Sequence, residues 1–365
     1  MSNLRVIIAG GGTGGHIFPA VAIGHALQRI QPGTELLFVG ANGRMEMEKV
    51  PQAGFNIVGL DIAGFDRSNM LKNLSLPFKV LKARMRARQI LKDFAPNAVV
   101  GVGGYASFPM LSVAQGMNIP TLIQEQNSYA GKANKILGKK AKAICVAYEH
   151  MGRFFPKDKL LLTGNPVRKE ITEMNTNADK AKSVFGFQNT VKTVLVVGGS
   201  LGAKAVNEAI DAGLDRLMQE NVQLIWQTGN PYFEQAKKRA EAYNGRVTVM
   251  NFIREMPEAY TLADVVVSRA GALAIAELCI AAKPAIFVPL PTAAEDHQTS
   301  NAMALVNQHA AIMIRNDKAI TDLVPAIKDL LANEDLQNEM KENLKALAIK
   351  DADERIAHKI IAIAK

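Results

Sequence analysis

The chain has 365 residues, 48% of them hydrophobic and 21% charged, and a formal net charge of +9. That length exceeds one ordinary core and suits two domains of about 150–200 residues each. No run of eighteen uncharged apolar residues occurs, which excludes a membrane-spanning helix, and the two cysteines lack the spacing of a disulfide scaffold or a zinc site.

Met1–Arg5 leads straight into a strand predicted over Arg5–Ala9, with no pattern of a signal or transit segment, so the protein is expected to stay in the cytoplasm. Five glycines follow in six residues, Gly10–Gly15, then His16 and a helix that includes Ala20–Ile30. Glycines let a ligand approach bare backbone, and a helix start points N–H groups and a positive dipole end at it. Gly10-x-Gly12-x-x-Gly15 also fits a dinucleotide fingerprint, but the second strand, Leu36–Gly40, ends without the acid that would hold a ribose. Met70–Lys92 carries seven cations and no acid, with Leu71, Leu74, Leu76, Phe78 and Leu81 interleaved. A helix packed on its own sheet accounts for the apolar half. The charge calls for an anionic partner, and a lipid surface fits better than nucleic acid, because no aromatic interleaving accompanies it. The excess is regional: 20 Lys and Arg stand against 9 Asp and Glu up to Asn165, and 23 against 25 beyond it.

Further strands are expected at Ala98–Val102, Thr121–Gln124 and Ala143–Val146, with helical stretches such as Ser107–Gln115 between them. The segment 154–189 contains Phe155-Pro156, Gly164-Asn165-Pro166 and a polar run at Asn175–Lys182, and breaks the alternation as a linker does. Strands then recur at Thr193–Val197, Gln223–Gln227, Arg246–Met250, Val265–Val267 and Ala285–Val288. Such alternation makes parallel sheets covered on both faces, with the loops after the strands along one edge. The expected domains are 1–163 and 164–345, with a helix over 346–365 as a candidate to pack back on the first.

The second glycine turn, Gly198–Gly202, contains Gly-x-Ser-x-Gly around Ser200. A hydrolase would use Ser200 as nucleophile and recruit Asp264 with His297 or His309; a hydroxyl beside bare N–H groups binds phosphate equally well. The most specific stretch is Ala263–Glu277. Its strand runs into Ser268-Arg269-Ala270-Gly271, and the next helix offers the N–H groups of Ala272 and Leu273 to a diphosphate. Glu277, a turn and a half further on, suits two ribose hydroxyls. The polar loop Glu295–Asn301 faces the same strand edge. Cys145 and Cys279 lie in apolar runs, as buried small hydrophobes do. Asp351-Ala352-Asp353 lies in the helical tail and reads as a solvated face.

Seven pieces in order resemble the MurG glycosyltransferases of bacterial peptidoglycan synthesis: Gly11–His16, Gly103-Gly104-Tyr105, Gln124-Glu125-Gln126-Asn127, Gly164-Asn165-Pro166-Val167-Arg168, Gly198-Gly199-Ser200, Ser268-Arg269-Ala270-Gly271-Ala272 and Asp296-His297-Gln298. The resemblance implies an α/β chain of the GT-B glycosyltransferase fold, two Rossmann-like domains with parallel sheets facing a cleft. It implies inverting transfer of N-acetylglucosamine from UDP-N-acetylglucosamine to the 4-hydroxyl of the muramoyl group of an undecaprenyl-diphosphate-linked muramoyl-pentapeptide (lipid I), giving lipid II and UDP. Donor-site roles fall on Thr13, Gly14, Gly15, Asn127, Arg168, Ser200, Ile253, Ala272, Leu273, Ala274, Ile275, Ala276, Glu277 and Gln298. The family often has Leu-Thr-x-x-Glu where this chain has Leu273-Ala274-Ile275-Ala276-Glu277, so a hydroxyl contact at 274 is lost.

An inverting transfer needs a base at the acceptor hydroxyl and relief of charge on the departing diphosphate. His16, with a pKa suited to neutral pH, is the candidate catalytic base, and Glu125 the second candidate. The bland alternative for His16 is that it binds acceptor diphosphate or holds the loop. The helix after Gly271, Ser200 and Arg168 would meet the leaving charge, so neither a cofactor nor a metal is expected. A lipid-linked acceptor places Leu74, Leu76, Phe78, Lys79, Leu81 and Lys82 against an anionic membrane surface. That means peripheral attachment at the cytoplasmic side of the cell membrane, with room for contacts with other cell-wall synthesis proteins and no role for nucleic acid. A related GT-B transferase with another UDP-sugar or glycolipid acceptor, and a non-catalytic binder of a nucleotide sugar, are the alternatives.

Overall fold

A computed structural model describes residues 3–62, 76–187, 191–199, 201–243 and 245–365, with only the backbone described at 76 and 77. Leu74 and Ser200, both assigned roles above, lie outside the described residues. The chain forms two compact units, Met1–Arg168 joined by Lys350–Lys365, and Lys169–Ile349.

The first unit runs β1 (Arg5–Ala9), α1 (Gly14–Ile30), β2 (Glu35–Ala41), α2 (Glu46–Gln52), β3 (Ile57–Leu60), α3 (Leu76–Phe94), β4 (Ala98–Gly101), α4 (Ser107–Gly116), β5 (Thr121–Glu125), α5 (Lys132–Gly138), β6 (Ala143–Val146) and β7 (Leu160–Leu162). The strands form one parallel sheet in the order β3-β2-β1-β4-β5-β6-β7, with Val6 opposite both Leu36 and Ala98. Side chains alternate across the central strand. Ile7 and Ala9 pack with Ala87, Leu91, Met110 and Leu111, whereas Val6 and Ile8 pack with Ile23 and Leu27. Burial on both faces is why these strands read as unbroken apolar runs.

The second unit runs α6 (Lys169–Thr172), α7 (Ala178–Phe185), β8 (Lys192–Val197), α8 (Lys204–Met218), β9 (Val222–Gln227), α9 (Phe233–Ala240), β10 (Val247–Met250), α10 (Met256–Leu262), β11 (Val265–Ser268), α11 (Ala272–Ala281), β12 (Ala285–Phe287), α12 (His297–Val306), β13 (Ala311–Met313), α13 (Ala319–Ala332) and α14 (Glu334–Leu347). Its parallel sheet has the order β10-β9-β8-β11-β12-β13. Trp226 is fully buried there, and its indole N–H donates to Asn207 Oδ1 at 3.0 Å, satisfying the one polar atom it carries inside.

Every expected strand is present with ends within one residue, and β3, β7 and β13 are additional. These three are short, only partly buried edge strands, whose apolar stretches of three or four residues carry too little pattern to mark a strand. The division also differs from 163/164. Gln124 Nε2 donates to Asn165 Oδ1 and Asn165 Nδ2 donates to the Gln126 carbonyl, each at 3.0 Å, which ties the Gly164–Arg168 stretch to the end of β5. From Lys350 the chain belongs to the first unit again. There α15 (Ala352–Ala364) buries Ile356, Ala357 and Ile360 in the cluster of Val6 and Ile8, and Arg29 pairs with Asp353 and Glu354 at 3.1 and 3.0 Å. Strand order reverses between β1 and β4 in one sheet and between β8 and β11 in the other. At such points the loops after the strands diverge and leave room for a ligand.

Candidate functional site

In the first unit the glycine turn after β1 is shaped by a residue that carries no motif. Glu46, at the start of α2, is 1% exposed; its Oε1 accepts the Ala41 N–H at 3.0 Å and its Oε2 the Gly12 N–H at 2.8 Å. Gly11 has φ +144°, and a Cβ there would overlap the Glu46 carboxyl. This glycine therefore makes room for a carboxylate rather than for a ligand, and the ligand-facing part of the turn narrows to Thr13–His16. Thr13 is the extended residue before α1, and Gly14 and Gly15 begin the helix, where N–H groups have no intrahelical acceptor.

His16 Nδ1 lies 3.1 Å from the Gly11 carbonyl and 3.2 Å from Thr13 Oγ1. A carbonyl only accepts, so in the neutral ring this contact favours the tautomer with the proton on Nδ1 and the lone pair on Nε2. The ring stands against the backbone of the loop after β4, where a Cβ at Gly103 (φ +91°) would come within 2.8 Å of Nε2. Tyr105 on that loop is 44% exposed, and the Arg44 guanidinium lies 5.9 Å from its ring centre.

Glu125 is 2% exposed, and its oxygens accept the Asn127 N–H (3.1 Å), Asn127 Nδ2 (3.4 Å), the Gly131 N–H (3.1 Å) and Asn134 Nδ2 (2.8 Å). Burial pushes its pKa up, against the pull of those donors. A carboxylate so enclosed holds the loop 126–131, which gives Glu125 a bracing role beside its standing as second candidate base. Asn127 is thereby oriented by Glu125. Gln126 donates to the Val102 carbonyl at 2.7 Å and to Gln124, joining the ends of β4 and β5. Arg168 is half-buried at the last position of this unit.

In the second unit the turn after β8 is pinned from β9. Gln227 Nε2 donates to the Gly199 carbonyl at 2.8 Å, and Gly202 N–H to the same oxygen at 2.9 Å. Beside it, Gly271 caps α11 in an extended conformation, so the first N–H groups of α11, at Ala272, Leu273 and Ala274, have no acceptor within the helix and lie at the β11 end of the switch point. Ile275 is buried and turns to the core; Ala272, Leu273, Ala274 and Ala276 are half-buried. Glu277 is 9% exposed and its Oε2 accepts the Tyr260 hydroxyl at 3.2 Å. Tyr260, on α10, belongs to no motif and only the folded chain reveals it. Gln298 Oε1 accepts the Leu290 N–H at 2.9 Å and so holds the loop before α12, in which Glu295 and Asp296 adopt left-handed φ of 55° and 51°. Two adjacent non-glycine residues in that region store local strain, a pattern concentrated at ligand sites. Ile253 is 2% exposed in the segment between β10 and α10.

Arg269, inside the most specific motif, is a brace. Its Nη1 donates to the Val288 and Pro289 carbonyls and to Asn316 Oδ1 at 2.8, 3.0 and 2.8 Å, and burial lowers its pKa. The hydrolase alternative fails on distance. Asp264 Oδ2 accepts the Thr193 N–H at 2.7 Å at the beginning of β8, about 16 Å of strand away from Gly198 and Gly199 at its other end. Cys145 and Cys279 are buried, and burial pushes each thiol up to about 12. No cluster of three metal-ligating side chains occurs among the described residues.

Helix α3 has two opposed apolar faces. Ala83, Ala87, Ile90 and Leu91 are buried, whereas Phe78, Leu81 and Met85, one stripe at helical spacing, are 77%, 60% and 68% exposed. Lys79, Lys82, Arg84, Arg86 and Arg88 flank the exposed stripe, and Lys82 reaches Asp61 at 3.5 Å. Packing on the sheet thus does not account for Phe78 and Leu81, and the side chains of Leu71, Leu74 and Leu76 lie outside those described. No helix among the described residues is long and apolar enough to cross a membrane.

Residues 6–146 match the glycosyltransferase family 28 N-terminal domain and residues 193–356 the glycosyltransferase family 28 C-terminal domain. A protein of Cytophaga hutchinsonii named UDP-N-acetylglucosamine–N-acetylmuramyl-(pentapeptide) pyrophosphoryl-undecaprenol N-acetylglucosamine transferase is 51% identical over 98% of this chain and 96% of its own. One of the same name from Phocaeicola vulgatus is 50% identical over 99% and 97%. The crystal structure of Acinetobacter baumannii MurG superposes with a TM-score of 0.79 at 31% identity, covering 98% of this chain and 99% of that one. With this likeness spanning both units, the chain belongs to the MurG family of UDP-N-acetylglucosamine-dependent glycosyltransferases, in glycosyltransferase family 28.

Proposed function

We propose that the protein transfers N-acetylglucosamine from UDP-N-acetylglucosamine to the muramoyl 4-hydroxyl of lipid I, forming lipid II and UDP with inversion at the anomeric carbon. The observation that carries this reading is the first turn of α11 at the end of β11 followed by Glu277 braced by Tyr260, in a chain half identical to proteins named for this transfer. The α11 N–H groups suit the donor diphosphate, and Glu277 suits the ribose hydroxyls. Gln298 keeps its loop beside them, and Ile253 offers backbone to the base.

In the transfer, His16 Nε2 takes the proton of the acceptor hydroxyl as its oxygen bonds to the anomeric carbon. The bond to UDP breaks on the opposite face. Charge growing on the departing diphosphate meets the α11 dipole, worth about 0.3–1 kcal/mol and up to about 2 when partly buried, together with Arg168 and Ser200. These groups supply the charge relief that a metal gives other transferases, so we assign none and no cofactor. The exposed stripe of α3 with its cations attaches the protein peripherally to the anionic cytoplasmic face of the membrane where the acceptor resides. Calorimetric binding of UDP tests the donor half. Glu277→Ala loses charge-assisted bonds worth about 1.5–3 kcal/mol each and should weaken UDP at least tenfold; unchanged affinity would remove Glu277 from the site.

A further inference from the structure

One peptide group joins two side chains of the first glycine turn. The Gly12 N–H donates to Glu46 Oε2 at 2.8 Å, and the Gly11 carbonyl, in the same planar amide, accepts from His16 Nδ1 at 3.1 Å. We propose that Glu46 is a positioning residue for His16 and works through this peptide. It holds the Gly11 carbonyl toward the ring and thereby keeps the proton on Nδ1 and the lone pair on Nε2. The inference rests on His16 as the base.

Three features support a built relay. Glu46 is anchored at both oxygens, the second by the Ala41 N–H at the end of β2, so the carboxylate cannot swing away from the peptide. Two glycines clear its seat: a Cβ at Gly11 would overlap the carboxyl, and one at Gly40 would come within 2.5 Å of its Cγ. The group is also 1% exposed, so water does not screen it. A carboxylate on the N–H side of an amide polarises the carbonyl on the other side and strengthens its hold on an N–H donor. Enzymes commonly set a histidine tautomer by a carboxylate touching Nδ1 directly. Here a peptide stands between them. Free imidazole favours the Nε2–H tautomer, so the arrangement reverses an intrinsic preference.

The test is 15N NMR of the full-length protein labelled at histidine, above the pH of imidazole titration. The His16 signals are assigned among the six histidines by their loss in His16→Gln. The wild type should show a protonated Nδ1 and an unprotonated Nε2. Glu46→Gln offers one acceptor oxygen to two backbone donors and should return His16 to a tautomer mixture. It should lower kcat roughly 10- to 100-fold while leaving KM for UDP-N-acetylglucosamine unchanged. Glu46→Asp, with the charge kept and the reach shortened, should move both readouts the same way. A wild-type His16 in the Nε2–H form overturns the inference even if neither variant folds. So does a folded Glu46→Gln that keeps tautomer and kcat. Turnover by His16→Gln is a separate arm: if it persists, the base assignment fails, while the tautomer change in Glu46→Gln still reports whether the relay exists.

Discussion

Replacing Glu125 by glutamine distinguishes a brace from a base. The carboxylate is buried and its two oxygens receive four N–H donors, from Asn127, Gly131 and Asn134. Glutamine keeps one oxygen and puts an NH2 group where the other stood, so two donors lose their acceptor. Each buried donor left unpaired costs about 1–3 kcal/mol, or roughly 2–6 for the pair. A neutral amide is cheaper to bury than a carboxylate, and the upward displacement of the Glu125 pKa records that burial cost. The net loss should therefore sit near the lower end, about 2 kcal/mol, a sizeable share of a total stability of about 5–15 kcal/mol. The pH dependence has a definite sign. With the folded pKa above the ordinary 4.5, the contribution of Glu125 to wild-type stability is fully present below that value and is lost as pH rises through the window up to the folded pKa. The glutamine variant lacks this titration, so the gap between the two narrows as pH rises. Urea unfolding followed by circular dichroism at several pH values measures both effects. An unchanged midpoint together with abolished turnover would refute the reasoning and favour Glu125 as the base.

The exposed stripe of α3 predicts that Phe78→Ser, Leu81→Ser and Met85→Ser together weaken sedimentation with anionic vesicles without altering thermal stability, because these side chains are mostly solvent-exposed. Each cation near such a surface contributes about 1 kcal/mol, so Lys79→Glu with Lys82→Glu should lower partitioning more than tenfold, and salt should do the same. Binding indifferent to salt and lipid charge contradicts the attachment. With thiols pushed up to about 12, only about one molecule in ten thousand carries either thiolate at pH 8, so iodoacetamide should label Cys145 and Cys279 only after unfolding. Rapid labelling of the folded protein would show that one of them is open to solvent.

The interior strands were legible because burial on both faces demands continuous apolar runs, as in Val6-Ile7-Ile8-Ala9. The edge strands β3, β7 and β13 were not, since each exposes part of itself and is only three or four residues long. Both glycine turns were legible as turns, yet what fills them was not. Glu46 reaches the first turn only because α2 folds back on the end of β2, and Tyr260 reaches Glu277 from a separate helix; neither relation has a spacing in the chain. Arg269 stands within the most specific motif but spends its guanidinium on carbonyls that only the tertiary structure brings near. In α3 the charge run was plain, while the choice of outward apolar face depended on Ala83, Ala87, Ile90 and Leu91 taking the sheet side. Asn165 shows the same limit at the domain boundary. Its motif was visible, and its bonds to Gln124 and Gln126 move the division to Arg168.

The most direct measurement is transfer itself: UDP-N-acetylglucosamine and a lipid I analogue incubated with the full chain in excess chelator, with UDP release and the disaccharide product both quantified. The account predicts equal amounts of UDP and of a disaccharide with inverted anomeric configuration, at a rate the chelator does not change. UDP release without that product, product with retained configuration, or turnover that stops on chelation would contradict it.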